Sequence, residues 1–305
     1  MSDPRRPAAA ADDPARSGAA APPTRRALRT ATRATRPPGR AGRNLPAAIA
    51  VGAVLGAVVL TSLLVRKEAF VGVVAVAVCL GLWELTQALA ERHVAVPVVP
   101  VAVGAVGMLV AAYTAGSQAL AVCFVLTAVG VVVWRTAEGP VGALRDVAGG
   151  IFAAAYLPLL AGFAILMLAE PDGELRVLTF VLVTAASDIG GYAAGVLTGR
   201  HPMAPSVSPK KSWEGFAGSA ATCVVVGAAA VVLLLDGRWW VGAVVGVAAV
   251  LTATLGDLGE SMIKRDLGIK DMGSVLPGHG GVLDRLDSLV MTAPVCWALL
   301  HALVG

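Results

Sequence analysis

The sequence predicts an all-α integral membrane protein, a polytopic bundle of about nine transmembrane helices. The first reason is composition, because 57% of the 305 residues are hydrophobic and only 14% are charged, against roughly 25% charged residues in soluble globular proteins. The second is run length, because apolar stretches of about 20 residues recur from residue 45 onward and each can cross a hydrocarbon core of about 30 Å. The third is the distribution of Lys and Arg among the loops.

Hydropathy divides the chain into a polar segment, residues 1–44, and a membrane domain, residues 45–305. The spans are expected at residues 46–65, 69–90, 95–113, 119–134, 147–169, 176–198, 216–235, 239–258 and 286–304. Segment 1–44 holds ten Arg and three Asp and has no apolar periodicity, so we expect a disordered cytoplasmic tail. It lacks the apolar core of a cleavable signal peptide. No aromatic residue interleaves its Arg residues, so nucleic acid is not an expected partner.

The positive-inside rule tests the number of spans, since cytoplasmic loops carry an excess of Lys and Arg. With segment 1–44 in the cytoplasm and the loops alternating, 20 of the 24 Lys and Arg residues fall on the cytoplasmic side. The four on the other side are Arg66, Lys67, Arg176 and Arg238. We therefore expect a multi-pass protein of a bacterial-type cell (inner) membrane, with its N-terminus in the cytoplasm and the lipid bilayer around it.

Acidic residues inside apolar runs are the first candidates for chemistry. Asp188 lies in span six, where an ionisable group costs roughly 2.5–3.5 kcal/mol on insertion scales, so a functional role is the default interpretation. Glu84 in span two has the same status, although a structural hydrogen bond explains it equally well.

Two helix ends offer further carboxylates. At the end of span eight, a stripe with spacing i, i+3, i+4 and i+7 consists of Asp257, Glu260, Ser261 and Lys264. At the entry to span nine, the corresponding residues are Asp284, Asp287 and Ser288. Ordinary helix-end charges would give the same pattern, but two such ends flanking a basic loop favour a Mg²⁺ site. Mg²⁺ takes one or two protein carboxylates and completes its shell with water and substrate phosphate.

Basic and glycine residues supply the opposite half of a phosphate site. The Lys and Arg residues that can neutralise phosphate are Lys210, Lys211, Lys264, Arg265, Lys270 and Arg285. Gly278, Gly280 and Gly281 let backbone N–H groups approach an anion closely, but the Walker A pattern is absent. His279 between them is suited either to contacting phosphate or to moving a proton. These residues predict an active site at the cytoplasmic side that acts on a phosphorylated substrate, without choosing the nucleotide or the lipid.

The run from Ser261 to Asp287, SMIKRDLGIKDMGSVLPGHGGVLDRLD, resembles the signature of the phosphatidate cytidylyltransferase family. It contains S-x-x-K-R, K-D, H-G-G and D-R-x-D at the family's spacing. The segment S-P-K-K-S-W-E-G at 208–215 is also similar, with Ser212 where Thr is usual, and D-I-G-G-Y at Asp188 is a looser match with Gly191 where Ala is usual. The resemblance covers roughly residues 45–305.

The resemblance implies that the phosphate of phosphatidic acid attacks the α-phosphorus of CTP, giving CDP-diacylglycerol and pyrophosphate. It implies Mg²⁺ dependence, with a monovalent cation such as K⁺ beside it, and we expect a homodimer. The expected metal ligands are Asp257 and Asp284, followed by Asp188, Glu214 and Asp287. The residues expected to act in catalysis are Asp257, Asp284, Lys264, Arg265, His279 and Asp287. The residues expected to bind substrate are Ser208, Lys210, Lys211, Ser212, Glu214, Lys270, Gly280, Gly281 and Arg285.

Three other functions are compatible with parts of this pattern. A polyprenol kinase that uses CTP would share the carboxylate and phosphate chemistry, but the complete H-G-G-x-x-D-R-x-D segment argues against it. A transporter or channel predicts polar residues spread through the spans, whereas most of them gather here on one side. A CDP-alcohol phosphotransferase requires a D-G-x-x-A-R helix motif, which this chain lacks.

Overall fold

The computed structural model describes residues 45–273, 275 and 280–304, with side chains from residue 52 onward. The expected disordered tail, residues 1–44, lies outside the described residues. Gly278 and His279 lie outside them as well. The expected roles of these segments therefore stay predictions.

Helices make up almost all of the described chain, as predicted. They are α1 (Leu45–Val65), α2 (Lys67–Ala90), α3 (Val98–Glu138), α4 (Ala143–Ala154), α5 (Leu160–Ala169), α6 (Gly173–Thr198), α7 (Trp213–Leu235), α8 (Trp239–Leu267) and α9 (Leu283–Leu303). A π-helical turn, Ala155–Leu159, joins α4 to α5 and contains Pro158. Proline removes a backbone donor and disturbs the preceding turn, which accounts for the local change of helix type.

Seven helical segments of the described chain are long and apolar enough to cross a membrane. They are α2, α3, the continuous run α4–α5, α6, α7, α8 and α9. The described side chains of α1 form a shorter apolar stretch, Gly52–Val65. The structure therefore agrees with a multi-pass membrane protein.

Helix α3 spans 41 residues and consists of two helical halves. Gly116 interrupts it with φ 79° and ψ −165°, a conformation that L-residues with a Cβ rarely adopt. Beyond the break, Arg135 lies 2.9 Å from Asp146, and the same Asp146 accepts a hydrogen bond from the N–H of Ala95, just before α3. Both ends of α3 therefore lie at the same end of the bundle. The break falls in the interval that the hydropathy pattern leaves between expected spans three and four.

Small residues bring α6, α7 and α8 into backbone contact. A Cβ atom added at Gly242 of α8 would meet backbone atoms of Gly227 and Ala228 in α7. On another face of α7, Ser219 and Thr222 donate hydrogen bonds to backbone carbonyl oxygens of α6 at 2.6 and 3.0 Å. Close approach through small residues and hydroxyl hydrogen bonds is how membrane helices associate without a hydrophobic driving force.

A short antiparallel hairpin between α6 and α7 is the element that the sequence analysis did not predict. Its strands are β1 (Pro202–Ala204) and β2 (Ser208–Ser212). The Ser212 hydroxyl then caps α7 by accepting the N–H of Gly215 at 3.1 Å. Arg265 near the end of α8 donates to the carbonyl oxygen of Val207 at 3.4 Å. The hairpin and the end of α8 therefore lie at the same end of the bundle.

Candidate active site

The polar stripe of α8 forms as predicted because the helix continues through Leu267. Asp257, Glu260 and Lys264 therefore follow one another on one helical face. Glu260 is only 2% exposed. This face meets the start of α9 on one side and the β2 strand on the other, and the meeting point is where the candidate site lies.

A cavity of about 230 Å³ opens between α6, the hairpin, α7 and α8. It is referred to below as the polar cavity, and its polar lining consists of Ser187, Asp188, Tyr192, Lys210, Lys211, Ser212, Ser219, Thr254 and Asp257. Asp188 from α6 and Asp257 from α8 thus face one shared space together with two lysines from β2. The cavity contains both carboxylates and cations, as a site for a phosphorylated substrate with a metal ion requires.

Asp257 connects three elements at the edge of this cavity. Its Oδ2 lies 2.5 Å from Nζ of Lys211 in β2. Its Oδ1 accepts a hydrogen bond from the hydroxyl of Ser288 in α9. The N–H of Ser288 in turn donates to Oδ1 of Asp287 at 2.7 Å. Asp257 and Asp287 therefore lie on either side of one serine, so two carboxylates from different helices are neighbours.

Asp188 faces the same group of charges from α6. The negative charges of Asp257 and Asp287 and the positive charge of Lys211 act on it. The charge of Arg285 acts on it as well. The carboxylate predicted from its position inside an apolar run therefore lies near the residues with which the sequence analysis grouped it.

Asp284 belongs to a second network, one turn earlier in α9. Nζ of Lys264 lies 3.0 Å from Asp284 Oδ1 and forms an ion pair with Glu260 as well. Asp284 also accepts the N–H groups of Met272 at 3.2 Å and of Gly281 at 2.7 Å. Asp284 therefore binds both described ends of the loop between α8 and α9. Lys264 connects Asp284 to Glu260 in the α8 stripe.

Of the expected metal ligands, Asp257, Asp287 and Asp188 belong to the first network and Asp284 belongs to the second. Within the described ranges 45–273 and 280–304, no group of three or more His, Cys, Asp or Glu residues is arranged to hold a metal ion. Asp257 and Asp287 are connected through Ser288, and Glu260 and Asp284 share Lys264. Metal binding by Asp257, Asp284 and Asp188 therefore stays a prediction.

A protein-family model for the cytidylyltransferase family matches residues 46–303. The chain belongs to this family. Phosphatidate cytidylyltransferase from Mycobacterium leprae is 41% identical over 302 residues, covering 92% of this chain and 95% of the relative. The enzyme of the same name from Mycobacterium bovis is 37% identical over 277 residues, covering 87% and 90%. That from Haemophilus influenzae is 39% identical over 150 residues, covering 45% and 51%.

The remaining expected site residues of this cytidylyltransferase lie at the rim or outside the polar cavity. Glu214 accepts the N–H groups of Arg200 and His201 at 3.1 and 3.2 Å and fixes the entry to the hairpin. Arg265 contacts the hairpin backbone, and Lys270 is exposed in the loop after α8. Ser208 begins β2 and is half-buried. Of the glycines, Gly281 has its N–H bonded to Asp284, so this group already has an acceptor.

One residue near the site, Tyr156, was not named by the sequence analysis, and Glu260 and Ser288 were placed in the two polar stripes by their helical spacing without a role of their own. Tyr156 comes from the π-helical turn, its hydroxyl is buried without a partner among the described residues, and the charges of Glu260, Asp287 and Asp257 act on it. Glu84, which was left between a structural and a functional role, bonds the N-terminus of α9.

Proposed function

We propose that this chain is a phosphatidate cytidylyltransferase, which transfers CMP from CTP to phosphatidic acid and releases pyrophosphate. The observation that carries the proposal is the polar cavity, in which Asp188 and Asp257 face Lys210 and Lys211 at one end of an apolar helical bundle. The names of the relatives agree with it. A lipid substrate and a water-soluble nucleotide can both reach a cavity placed where membrane helices end.

The reaction needs little chemistry from side chains. An anionic phosphate oxygen of phosphatidic acid attacks the α-phosphorus of CTP, a new P–O bond forms, and the bond to the β-phosphate breaks so that pyrophosphate leaves. The nucleophile is already ionised, so no strong general base is required. Catalysis of such transfers rests on positioning and on neutralising the phosphate charges.

Lysines and arginines at the cavity supply this neutralisation. Lys211 reaches into the cavity from β2 and is held there by Asp257 at 2.5 Å. Lys210 precedes it in the same strand and also lines the cavity. Arg285 lies at the start of α9, close enough for its charge to act on Asp188. We assign these three residues to the triphosphate of CTP and the phosphate of the lipid, with Ser212 as a hydrogen-bond donor beside them.

Neighbouring carboxylates beside the cavity, rather than a preformed cluster of ligands, support a proposed Mg²⁺ site. Asp257 and Asp287 lie on either side of Ser288, and Asp188 faces the same space. Glu260 is already paired with Lys264 and is not needed as a ligand. Asp257, Asp287 and Asp188 would hold Mg²⁺, and a monovalent cation such as K⁺ would bind beside it. A bound Mg²⁺ would neutralise phosphate oxygens of CTP.

For the membrane topology, we propose nine crossings with the polar cavity on the cytoplasmic side. The count follows from the seven apolar segments if α1 spans the membrane and the two halves of α3 cross separately. The antiparallel halves of α3 support the second condition, since Ala95 and Arg135 both contact Asp146. The distribution of Lys and Arg favours a cytoplasmic N-terminus in a bacterial inner membrane. The expected homodimer and the expected absence of nucleic-acid binding stay predictions.

The test uses the purified full-length protein in detergent micelles with radiolabelled CTP, phosphatidic acid and Mg²⁺. We expect labelled CDP-diacylglycerol and an equal amount of pyrophosphate, with both products abolished when EDTA removes the metal and restored by added Mg²⁺. Replacing phosphatidic acid by a polyprenol should give no labelled lipid. Transfer of label from γ-labelled CTP to the polyprenol would identify a kinase. Absence of labelled CDP-diacylglycerol in the assay with phosphatidic acid would refute the proposal.

A further inference from the structure

Glu84 of α2 is a buried carboxylate that has no part in the reaction as described so far. Its side chain is only 1% exposed. Oε2 accepts the N–H of Leu283, the first residue of α9, at 2.9 Å. Oε1 has no hydrogen-bond partner among the described residues. Burying a carboxylate costs free energy unless its bonds compensate, so the position calls for a physical reason.

The carboxylate fills the space between the two ends of the loop that joins α8 to α9. A Cβ atom built on Gly281 would lie 2.5 Å from Oε2 of Glu84. A Cβ atom built on Gly273, at the other end of the loop, would lie 2.7 Å from Cγ of the same side chain. Both separations are too short for real atoms. The two glycines are therefore the residues that allow the loop ends to close around Glu84.

Asp284 contacts the same two loop ends. Gly281 donates its N–H to Asp284 at 2.7 Å, and Met272 donates its N–H to Asp284 at 3.2 Å. Glu84 and Asp284 thus both contact the described ends of the loop. Because Glu84 also holds the first N–H of α9, it determines where the first turn of that helix begins, and Arg285 and Asp287 lie on this turn and the next.

The position of α2 is itself fixed at this point. A Cβ atom on Gly81, one turn before Glu84, would lie 2.9 Å from Leu157 and 3.8 Å from Leu283. Helix α2 therefore packs directly against the start of α9 and against the π-helical turn. Glu84 therefore reaches α9 from a helix that is packed in place. A site requires such support to hold its groups in the productive geometry.

We propose that Glu84 is a positioning residue for nucleotidyl transfer, which acts by fixing the two loop ends at Gly273 and Gly281 and the first turn of α9. It touches no substrate. Its effect passes through Leu283 and Gly281 to Asp284, Arg285 and Asp287. The proposal rests on the proposed function, because that function places Arg285 and Asp287 at the reacting phosphates. A residue with only a structural role would lower the amount of folded protein but leave each folded molecule fully active.

The experiment compares Glu84→Ala, Glu84→Gln, Gly281→Ala and the double variant Glu84→Ala/Gly281→Ala. Each is purified as a monodisperse full-length protein, and kcat and KM for CTP and phosphatidic acid are measured per folded molecule, well below the thermal midpoint. Glu68→Gln is the matched control, since it makes the same change at the other end of α2, where Glu68 accepts from Tyr113.

Glu84→Ala should lower kcat roughly 100-fold with smaller changes in KM, because misplaced catalytic groups cost about that factor. Glu84→Gln keeps an oxygen acceptor for Leu283 and should retain activity within about 10-fold, since a neutral acceptor replaces a charged one while the hydrogen bond is kept. Turnover of Gly281→Ala should be strongly reduced, because the new Cβ atom would clash with Glu84. Adding Gly281→Ala to Glu84→Ala should reduce turnover little further, because the Glu84 side chain is then absent. Glu68→Gln should resemble the wild type.

Two outcomes would overturn the inference. One is a Glu84→Ala protein whose folded fraction has wild-type kcat and KM. The other is full additivity of the two substitutions, in turnover and in thermal midpoint, because the contact between Glu84 and Gly281 requires them to be coupled. If the wild type itself forms no CDP-diacylglycerol, the proposed function fails, and the coupling of thermal midpoints still tests the contact.

Discussion

Replacing Asp257 by Asn separates the chemistry of the polar cavity from the stability of the helical bundle. The side chains of Asp257 and Lys211 are 28% and 27% exposed. An ion pair at that exposure contributes at most about 1 kcal/mol to the free energy of unfolding. Asparagine keeps an oxygen that can accept from Ser288. We therefore expect the thermal midpoint to fall by only about 2–4 °C, the shift that 1 kcal/mol produces in a protein of roughly this size.

The turnover of Asp257→Asn should fall far more than its stability. Removing one charged group that acts in a transition state typically costs about 100-fold or more, equivalent to about 2.7 kcal/mol of barrier. The assay is the initial rate of CDP-diacylglycerol formation from radiolabelled CTP at saturating substrates, with the thermal midpoint read from tryptophan fluorescence. Asp266→Asn is the matched control, because it makes the same substitution at an exposed position of α8. Turnover of Asp257→Asn equal to that of this control would refute its assignment to the site.

Three further results are expected. Lys264→Met should lower the free energy of unfolding by about 3–5 kcal/mol, because it leaves the buried carboxylates of Glu260 and Asp284 without their shared cation. The measurement is thermal unfolding in detergent, and an unchanged midpoint would contradict this expectation. Gly242→Ala should prevent recovery of a monodisperse protein because its Cβ meets the α7 backbone, whereas Gly72→Ala, which meets nothing within 4 Å, should behave as wild type in size-exclusion chromatography. Deletion of residues 1–40 should leave turnover in detergent unchanged if the tail serves only membrane topology, and loss of activity would show a further role.

The helices and the polar stripe could be predicted because both depend on local periodicity. Apolar runs set the length of each membrane helix, and the spacing of Asp257, Glu260 and Lys264 follows from 3.6 residues per turn once α8 extends to Leu267. The interruption near Gly116 was predicted for the same reason, since hydropathy weakens there. Each of these features is encoded within about one helix length of sequence.

Contacts between distant segments could not be predicted in this way. Glu84 lies 199 residues before its partner Leu283, and nothing in the surrounding apolar run indicates which helix it faces. The π-helical turn that contains Tyr156 has Pro158 as its sequence signal. Proline alone, however, does not determine whether a helix forms a π turn or a simple kink. The hairpin 202–212 is too short to have a period of its own. In each case the deciding interaction is tertiary.

Asp257 of α8 and Asp284 of α9 differ in the kind of partner that each one has. Asp284 is bound by two backbone N–H groups and by Lys264. Among the described residues, Asp257 is bound by the side chains of Lys211 and Ser288, which can rotate to new partners. A site that exchanges phosphate ligands during turnover needs carboxylates of the second kind, on a frame held by carboxylates of the first kind. On this physical ground we propose that Asp284 holds the described ends of the loop, whereas Asp257 can turn to a metal ion or a phosphate.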